Sequence, residues 1–264
     1  MSKPIFYYSH ALSTDMSKPH FHRWFEVYYL ISGKRRYFIE SEIYDIYPGD
    51  MILIPKMVTH KVLNIPNTDP NEYHERYLLK LHQELIPEIF QPCFDTHFYR
   101  LPEAAKESVL DCFKALQENT EHPDTYSSYY EQANIIKILC TLARLTASDK
   151  RKHTLTEKDL LVQKAATYVK NHYDQQLTLG ELASKFSFSK EYFSILFKQT
   201  TGFGFNEYLT QIRIAHSVML LTSTDHSITQ ISTMCGFNDS NYFAAVFKKR
   251  YGVTPRKYRA LHKS

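Results

Sequence analysis

GFNDSNYFAAVFKKRYG, residues Gly236 to Gly252, repeats in outline a stretch some fifty positions earlier, SFSKEYFSILFKQTTG, Ser187 to Gly202. Tyr192, Phe193 and Phe197 fall on Tyr242, Phe243 and Phe247, and Gly202 falls on Gly252. The likeness continues upstream, where LTLGELASKFSF (Leu177 to Phe188) aligns with HSITQISTMCGF (His226 to Phe237). Thr178 with Glu181, and Ser227 with Gln230, have the S/T-x-x-E/Q spacing of a capping box, in which each side chain reaches back to an orphan N–H of the helix start. Each copy should therefore begin a helix, with Leu179, Leu182 and Phe186 inward in the first and Ile228, Ile231 and Cys235 in the second. Ala183 and Ser232 are small enough for a second helix to cross closely. Gly236 suits a left-handed turn, and Ser187 is a less typical occupant of the same place. Second helices are expected over 190–200 and 240–251. Phe193, Leu196 and Phe197, and likewise Phe243, Val246 and Phe247, form their buried i, i+3, i+4 stripes.

Helix, tight turn, helix is a helix-turn-helix unit, and its second helix is the one a B-DNA major groove admits. Two units in one chain can enter successive grooves about 34 Å apart if something fixes their spacing. FNEYLTQIRIAHSVMLLTST, Phe205 to Thr224, reads as that spacer. It is one long helix whose Ile212, Ala215, Val218, Met219 and Leu221 would pack against both units.

Outward from this repeat, residues 151–264 hold 16 Lys and Arg against 8 Asp and Glu, a net of +8, while residues 1–150 carry −4. A basic half joined to an acidic one fits a polyanion-binding module attached to something else. SDKRKHTLTEK, Ser148 to Lys158, is the polar seam, so the expected division is 1–147, a linker at 148–157, and 158–264. At 264 residues, 43% hydrophobic and 23% charged, the chain is long enough for two globular domains. No run is long enough for a membrane span, and MSKPIFYYSH lacks the apolar core of a signal peptide. Cys93, Cys112, Cys140 and Cys235 form no CxxC pair and read as reduced thiols of a cytoplasmic protein. There is no GxSxG, HExxH or phosphate-binding glycine loop, so the common hydrolase, metalloprotease and nucleotide-binding motifs are absent.

The region from about Lys158 to Tyr258 resembles the DNA-binding domain of the AraC/XylS family of transcriptional regulators. GFNDSNYFAAVFKKRYGVTPRKYR is similar to that family's signature, including its ending at Gly252, Pro255 and Arg259. The resemblance implies a regulator that binds double-stranded promoter DNA, more often as an activator and with RNA polymerase as a further partner. By position in the motif, Ser189, Lys190, Glu191, Ser194, Ile195 and Lys198 of the first unit lie at the DNA. So do Ser240, Asn241, Ala245, Lys248, Lys249 and Arg250 of the second. Glu191, Ser194, Ile195, Ser240, Asn241 and Ala245 would face bases. Asn241 is the foremost of these, because an amide can bond adenine in bidentate fashion. The lysines and Arg250 would neutralise phosphates.

The N-terminal half reads differently. VYYLI, RRYFIE, YDIYPGDMILIP and HKVLN are short β-branched and aromatic runs separated by turns at Ser32-Gly33 and Pro48-Gly49, which suggests a sandwich or barrel. HFHRWFEVYYLISG (His20 to Gly33) opens the set, and on an extended strand His20, His22 and Glu26 share one face. With His60 they make a donor set suited to a divalent transition metal. The spacings, with Gly49, Pro55, His60 and Asn64 in the second block, resemble the two cupin motifs, departing at Met57 where enzymes of that superfamily usually have glycine. AraC-type regulators frequently carry such a sensory barrel.

The expected architecture is therefore α+β in two domains. A cupin-like β-barrel followed by helices precedes an all-α domain of two helix-turn-helix units joined by a long helix. His20, His22, Trp24, Glu26, Tyr28 and His60 are the candidate effector-binding residues, and aromatic faces beside His and Glu suit a sugar. Helical patterns over 102–119 and 126–147 offer either a homodimer surface or a layer packed on the barrel. Two other readings stay open. One is a cupin-type metalloenzyme or metal sensor with a DNA-binding module, its metal on His20, His22, Glu26 and His60. The other is a constitutive DNA binder whose barrel only dimerises.

Overall fold

The computed structural model describes residues 4–12, 20–65, 69, 72–145 and 155–262. It divides into two units between Leu155 and Thr156. The expected linker, 148–157, falls mostly outside the described residues. Thr156 and Glu157 at its end instead open a helix.

Among its described residues the first unit has eight strands: β1 (Ile5–Leu12), β2 (Phe25–Ser32), β3 (Arg35–Ile39), β4 (Glu42–Ile46), β5 (Asp50–Ile54), β6 (His60–Leu63), β7 (Tyr73–Leu81) and β8 (Phe98–Arg100). They form a five-stranded sheet ordered β1-β7-β2-β5-β8 and a three-stranded sheet ordered β4-β3-β6. All pairings are antiparallel. A further bridge pairs His20 with His60. Side-chain alternation then sorts every strand into two faces. Tyr28, Leu30, Ile52 and Ile54 of the larger sheet meet Tyr37, Ile39, Ile46 and Val62 of the smaller, which fills the barrel. The alternate residues Phe25, Val27, Tyr29, Met51, Leu53, Tyr77 and Leu79 face out of the barrel.

That outer face is covered by helices α1 (Glu103–Glu121) and α2 (Ser127–Ala143). Ile135, Ile138, Leu139 and Leu142 of α2 join Val109, Cys112, Phe113 and Leu116 of α1 on it. The apolar stripe of α2 is thus spent within its own domain. At about 25 cal/mol per Å² of apolar area, such burial is what holds a sheet of this size closed. The strand expected from His20 begins only at Phe25, and residues 21–24 form an irregular bend.

The second unit is all helix: α3 (Glu157–Asn171), α4 (Leu179–Lys185), α5 (Lys190–Thr201), α6 (Phe205–Ser223), α7 (Ile228–Met234), α8 (Ser240–Tyr251) and α9 (Pro255–His262). Both expected capping boxes form, Thr178 with Glu181 at α4 and Ser227 with Gln230 at α7, and Thr156 with Asp159 adds a third at α3. Each α4–α5 or α7–α8 pair is a helix-turn-helix unit closed by phenylalanines. Phe193, Phe197, Phe243 and Phe247 are all fully buried. Long α6 packs against α3 and α5 toward one unit and α7, α8 and α9 toward the other. Its inward face differs from the expected one. Phe205, Tyr208, Leu209, Ile214, Ser217 and Leu221 are buried, whereas Ala215 is exposed and Met219 is 57% exposed. Ser217, fully buried and donating to the Ile214 carbonyl at 2.7 Å, is small enough to let a neighbouring helix approach.

Candidate functional site

The first candidate surface is built from α5 and α8. Ser189 caps α5 by accepting from the Tyr192 N–H at 3.3 Å, and Asp239 caps α8 by accepting from the Asn241 N–H at 2.8 Å. Both helices end on a left-handed glycine, Gly202 and Gly252. With both ends fixed and the phenylalanine face buried, the opposite face is presented to solvent. Ser189, Lys190, Glu191, Ser194, Ile195 and Lys198 are exposed on or beside α5, as are Asn241, Ala245, Lys248 and Lys249 on α8. Ser240 is half-buried. Arg250 departs from its expected place. Its Nε and Nη1 are buried and its guanidinium lies 5.9 Å from the Tyr251 ring, so the side chain turns inward.

Three features position the units within this domain. Arg213 of α6 donates to the Tyr173 carbonyl from Nε and to the Gln175 carbonyl from Nη2, both at 2.8 Å. Gln176, just before the first unit, and Asn238, in the turn of the second, exchange reciprocal amide hydrogen bonds at 2.8 and 3.1 Å. Arg259 of α9 reaches back to the carbonyls of Leu221 and His226. Only Arg259 was signalled by the motif. Gln176 and Asn238 carry no pattern a sequence reader could use.

The second candidate site lies in the barrel. His20, His22 and His60 come together, with ligand-capable nitrogens all within 4.8 Å of one another. The even spacing does not act through one extended strand. The bend at 21–24 and the His20–His60 bridge bring the rings in, helped by the Met57 N–H, which donates to the His22 carbonyl at 2.7 Å. Met57 has φ 67, so the left-handed backbone that glycine would favour is kept with methionine in it. His22 Nδ1 lies 2.7 Å from the Trp24 carbonyl and His60 Nδ1 lies 3.1 Å from that of Val58. Carbonyls accept only, so each Nδ1 carries a proton and each Nε2 is left facing the site. Both Nε2 atoms are buried without a hydrogen bond. His22 Nε2 is 3.2 Å from Glu26 Oε2, close enough for an ion pair but not aligned as a hydrogen bond.

Burial pushes His60 down to about 4 against the pull of Glu26, so it is neutral at pH 7. Burial pushes the Glu26 carboxyl up, but the contact with His22 and the surrounding histidines outweigh it and hold it below the ordinary range. Trp24 stacks on His22 at 5.1 Å, under Lys80 at 5.0 Å, and Tyr28 lies deeper at 1% exposure.

The strands bring further polar residues to the same interior. Arg35 shares its face of β3 with Tyr37 and Ile39, and His74 and Arg76 share theirs of β7 with Leu78. None of these was anticipated, because a charged residue in a strand reads as solvent-facing. The available signal was its period of two with apolar barrel residues.

Comparison with known proteins bears on both halves. The AraC-like ligand binding domain family matches residues 4–128, and a helix-turn-helix domain family matches residues 182–261. The HTH-type transcriptional activator RhaR of Yersinia pestis is 26% identical over 247 residues, covering 91% of this chain and 83% of that protein. An uncharacterized HTH-type transcriptional regulator of Escherichia coli, YijO, is 35% identical over 111 residues, 42% of this chain and 39% of that one. Among solved structures, the C-terminal domain of AraT, a response regulator from Geobacillus stearothermophilus, is 34% identical, with a TM-score of 0.39, over 42% of this chain and 91% of that one. These relatives are regulators of transcription and not enzymes. The chain belongs to the AraC/XylS family of transcriptional regulators, an AraC-like ligand-binding domain followed by a helix-turn-helix DNA-binding domain.

Proposed function

We propose that this regulator reads two successive major grooves of promoter DNA with α5 and α8, and that a small polar effector in the barrel sets how it does so. The supporting observation is the duplication itself. Two helices of equal length, each capped by a side chain and buried on the same phenylalanine face, offer a short exposed stretch with lysine further along the same helix. On this reading Glu191, Ser194, Ile195, Ser240, Asn241 and Ala245 meet bases, and Lys190, Lys198, Lys248 and Lys249 meet phosphates. The protein acts in the cytoplasm as an activator, in keeping with the name of its Yersinia relative, as a homodimer that engages RNA polymerase. A carbohydrate is the starting candidate for the effector, since Trp24 and Tyr28 offer aromatic faces beside His20, His22, Glu26 and His60. Selection of bound fragments from random DNA tests the reading. Enriched sites should hold two half-sites about 10–10.5 base pairs apart. Single half-sites, or pairs without a fixed spacing, would refute two-groove reading.

A second reading concerns a metal. Two buried Nε2 atoms and a carboxylate oxygen converge around His22, His60 and Glu26, with His20 alongside, and such a set repels itself unless a proton or a cation sits among them. The residues thus fit a divalent transition metal on His20, His22, Glu26 and His60. The ion would tie the 21–24 bend to β6 and polarise a bound oxygen ligand. Zinc holds nitrogen ligands at about 2.0–2.1 Å, so binding would draw the three histidines closer together than they stand here. Metal analysis of the untagged protein by mass spectrometry should find near-stoichiometric metal, lost in His20→Ala/His22→Ala. Metal-free wild-type protein that gains no thermal stability from added zinc, cobalt or nickel would exclude the site.

A further inference from the structure

The barrel interior carries a second polar constellation, deeper than the histidines. Arg76 stands on the inward face of β7, its guanidinium 5.6 Å from the centre of the Tyr28 ring. Its Nε is buried and makes no hydrogen bond among the described residues. The Tyr28 hydroxyl, on a residue only 1% exposed, is equally buried and faces the Arg76 guanidinium and the Tyr37 phenol. Tyr28 and Tyr37 meet edge-on at 5.3 Å. Arg35, 2% exposed, enters from β3 and donates from Nη1 to Asn64 Oδ1 at 2.6 Å. The two arginines bear on the same space, for the charges of both reach Tyr28, Tyr37 and His74.

Asp45, Asp50 and Glu75 are each held by another group. Asp45 holds Arg36, which points away from Arg35 on the same strand, at 2.6 and 2.8 Å. Asp50 is held by Arg100 at 2.7 and 2.9 Å, and Glu75 takes the hydroxyl of Tyr8. Glu26 is the acidic group whose charge reaches Arg76, and it is already in contact with His22. His74 offers no negative charge; burial, with Arg35 and Arg76 beside it, pushes it down to about 4 and leaves it neutral. The Tyr28 and Tyr37 phenols each carry one O–H that can donate to an anion. Burying the Arg76 guanidinium with no carboxylate in direct contact among the described residues is costly, and the planar fork of arginine matches carboxylate and phosphate oxygens.

We propose that the interior between Arg35, Arg76 and Tyr28 is an anion-binding site, so that the effector is a small organic acid carrying a carboxylate or phosphate rather than a neutral sugar. The arginines supply charge and paired N–H donors, and the Tyr28 hydroxyl a third donor. This rests on the reading of the barrel as an effector sensor and names the class of effector that it takes.

The test is calorimetric titration of the full-length protein at pH 7 with two acids, each beside a neutral counterpart. Galacturonate is set against galactose and benzoate against benzamide, with inorganic phosphate as a bare anion. At least one acid should bind saturably and at least about tenfold more tightly than its counterpart. Galacturonate would mark a sugar acid and benzoate an apolar one. Arg76→Gln should weaken that binding by a similar factor, and Arg76→Lys by less. Equal binding of acid and neutral counterpart would overturn the proposal. So would failure of both acids and phosphate to bind at millimolar concentrations, or an Arg76→Gln protein that folds and binds as the wild type does. If Arg76→Gln does not fold, the wild-type comparison of acid with neutral counterpart still decides. An acid that binds without changing affinity for DNA would uphold the anion site and sink the sensor reading.

Discussion

The two helix-turn-helix turns offer an internal control that isolates one backbone effect from another. Gly236 and Ser187 occupy equivalent places, and both are left-handed, with φ 78 and φ 61. An L-residue in that region costs roughly 1–2 kcal/mol, and the first unit already bears this cost at Ser187. At Gly236 there is a second obstacle. A Cβ there would lie 2.7 Å from the Tyr173 carbonyl oxygen, 2.8 Å from that of Asp174 and 2.9 Å from Arg213 Nη2. Two of these are backbone atoms and the third belongs to a guanidinium held by two carbonyls, so none yields easily. Gly236→Ala should therefore cost about 3 kcal/mol or more, the conformational term plus overpacking. Ser187→Gly should gain about 1 kcal/mol, and Ser187→Ala should change little. Urea unfolding followed by helical circular dichroism reads the all-α unit, where the Gly236→Ala midpoint should fall by on the order of 1–2 M. The single tryptophan, Trp24, lies in the other unit, and its fluorescence transition should stay in place. Equal and opposite shifts for Gly236→Ala and Ser187→Gly would refute the close-approach argument, since conformation alone would then account for both.

Three further outcomes are expected. Asn241→Ala should weaken binding to a selected site by about 1–3 kcal/mol and leave random-sequence binding nearly unchanged in competition assays; equal losses on both would remove Asn241 from the base-reading set. Stability of the barrel domain should fall as pH drops through the window from 6.5 to about 4, because there the unfolded chain binds a proton at His74 that the folded chain refuses. The contribution is of the order of a few kcal/mol, fully present above that window, and a His74→Gln protein with an undiminished slope in Trp24-monitored unfolding would contradict it. Met57→Gly should raise the same unfolding midpoint, corresponding to about 1 kcal/mol, by relieving the left-handed methionine; a lower midpoint would show that the Met57 side chain contributes more than its backbone strain costs.

The helical half was legible because its signals are local. Capping boxes, a turn residue and a terminal glycine fix α8 at the expected Ser240–Tyr251 and α5 to within one residue of its expected end. What could not be read was which way near-uniform apolar surface turns. The sequence of α6 is apolar most of the way round, and only packing against both units decides that Leu221 is buried while Met219 is exposed. Arg250 was misplaced for a related reason, since its turn toward Tyr251 depends on α8's neighbours and not on its own spacing. In the barrel, the histidines were found by their spacing, although a bend and a bridge to His60, rather than a strand, assemble them. Arg35, His74 and Arg76 stayed hidden because strand pairing over long sequence distances, with Leu30 opposite Arg76 and Ile46 opposite Arg35, is what encloses them.

The amide pair between Gln176 and Asn238 is uncharged, and the carbonyls that receive Arg213 are neutral dipoles. Neither tie relies on attraction between exposed opposite charges, so mobile ions screen them little. The lysine–phosphate contacts proposed for α5 and α8 are of the opposite kind and weaken steeply with ionic strength. Rising salt should therefore release this protein from DNA with its gauge unaltered. Affinity declines while the interval between the two half-sites that it accepts stays the same.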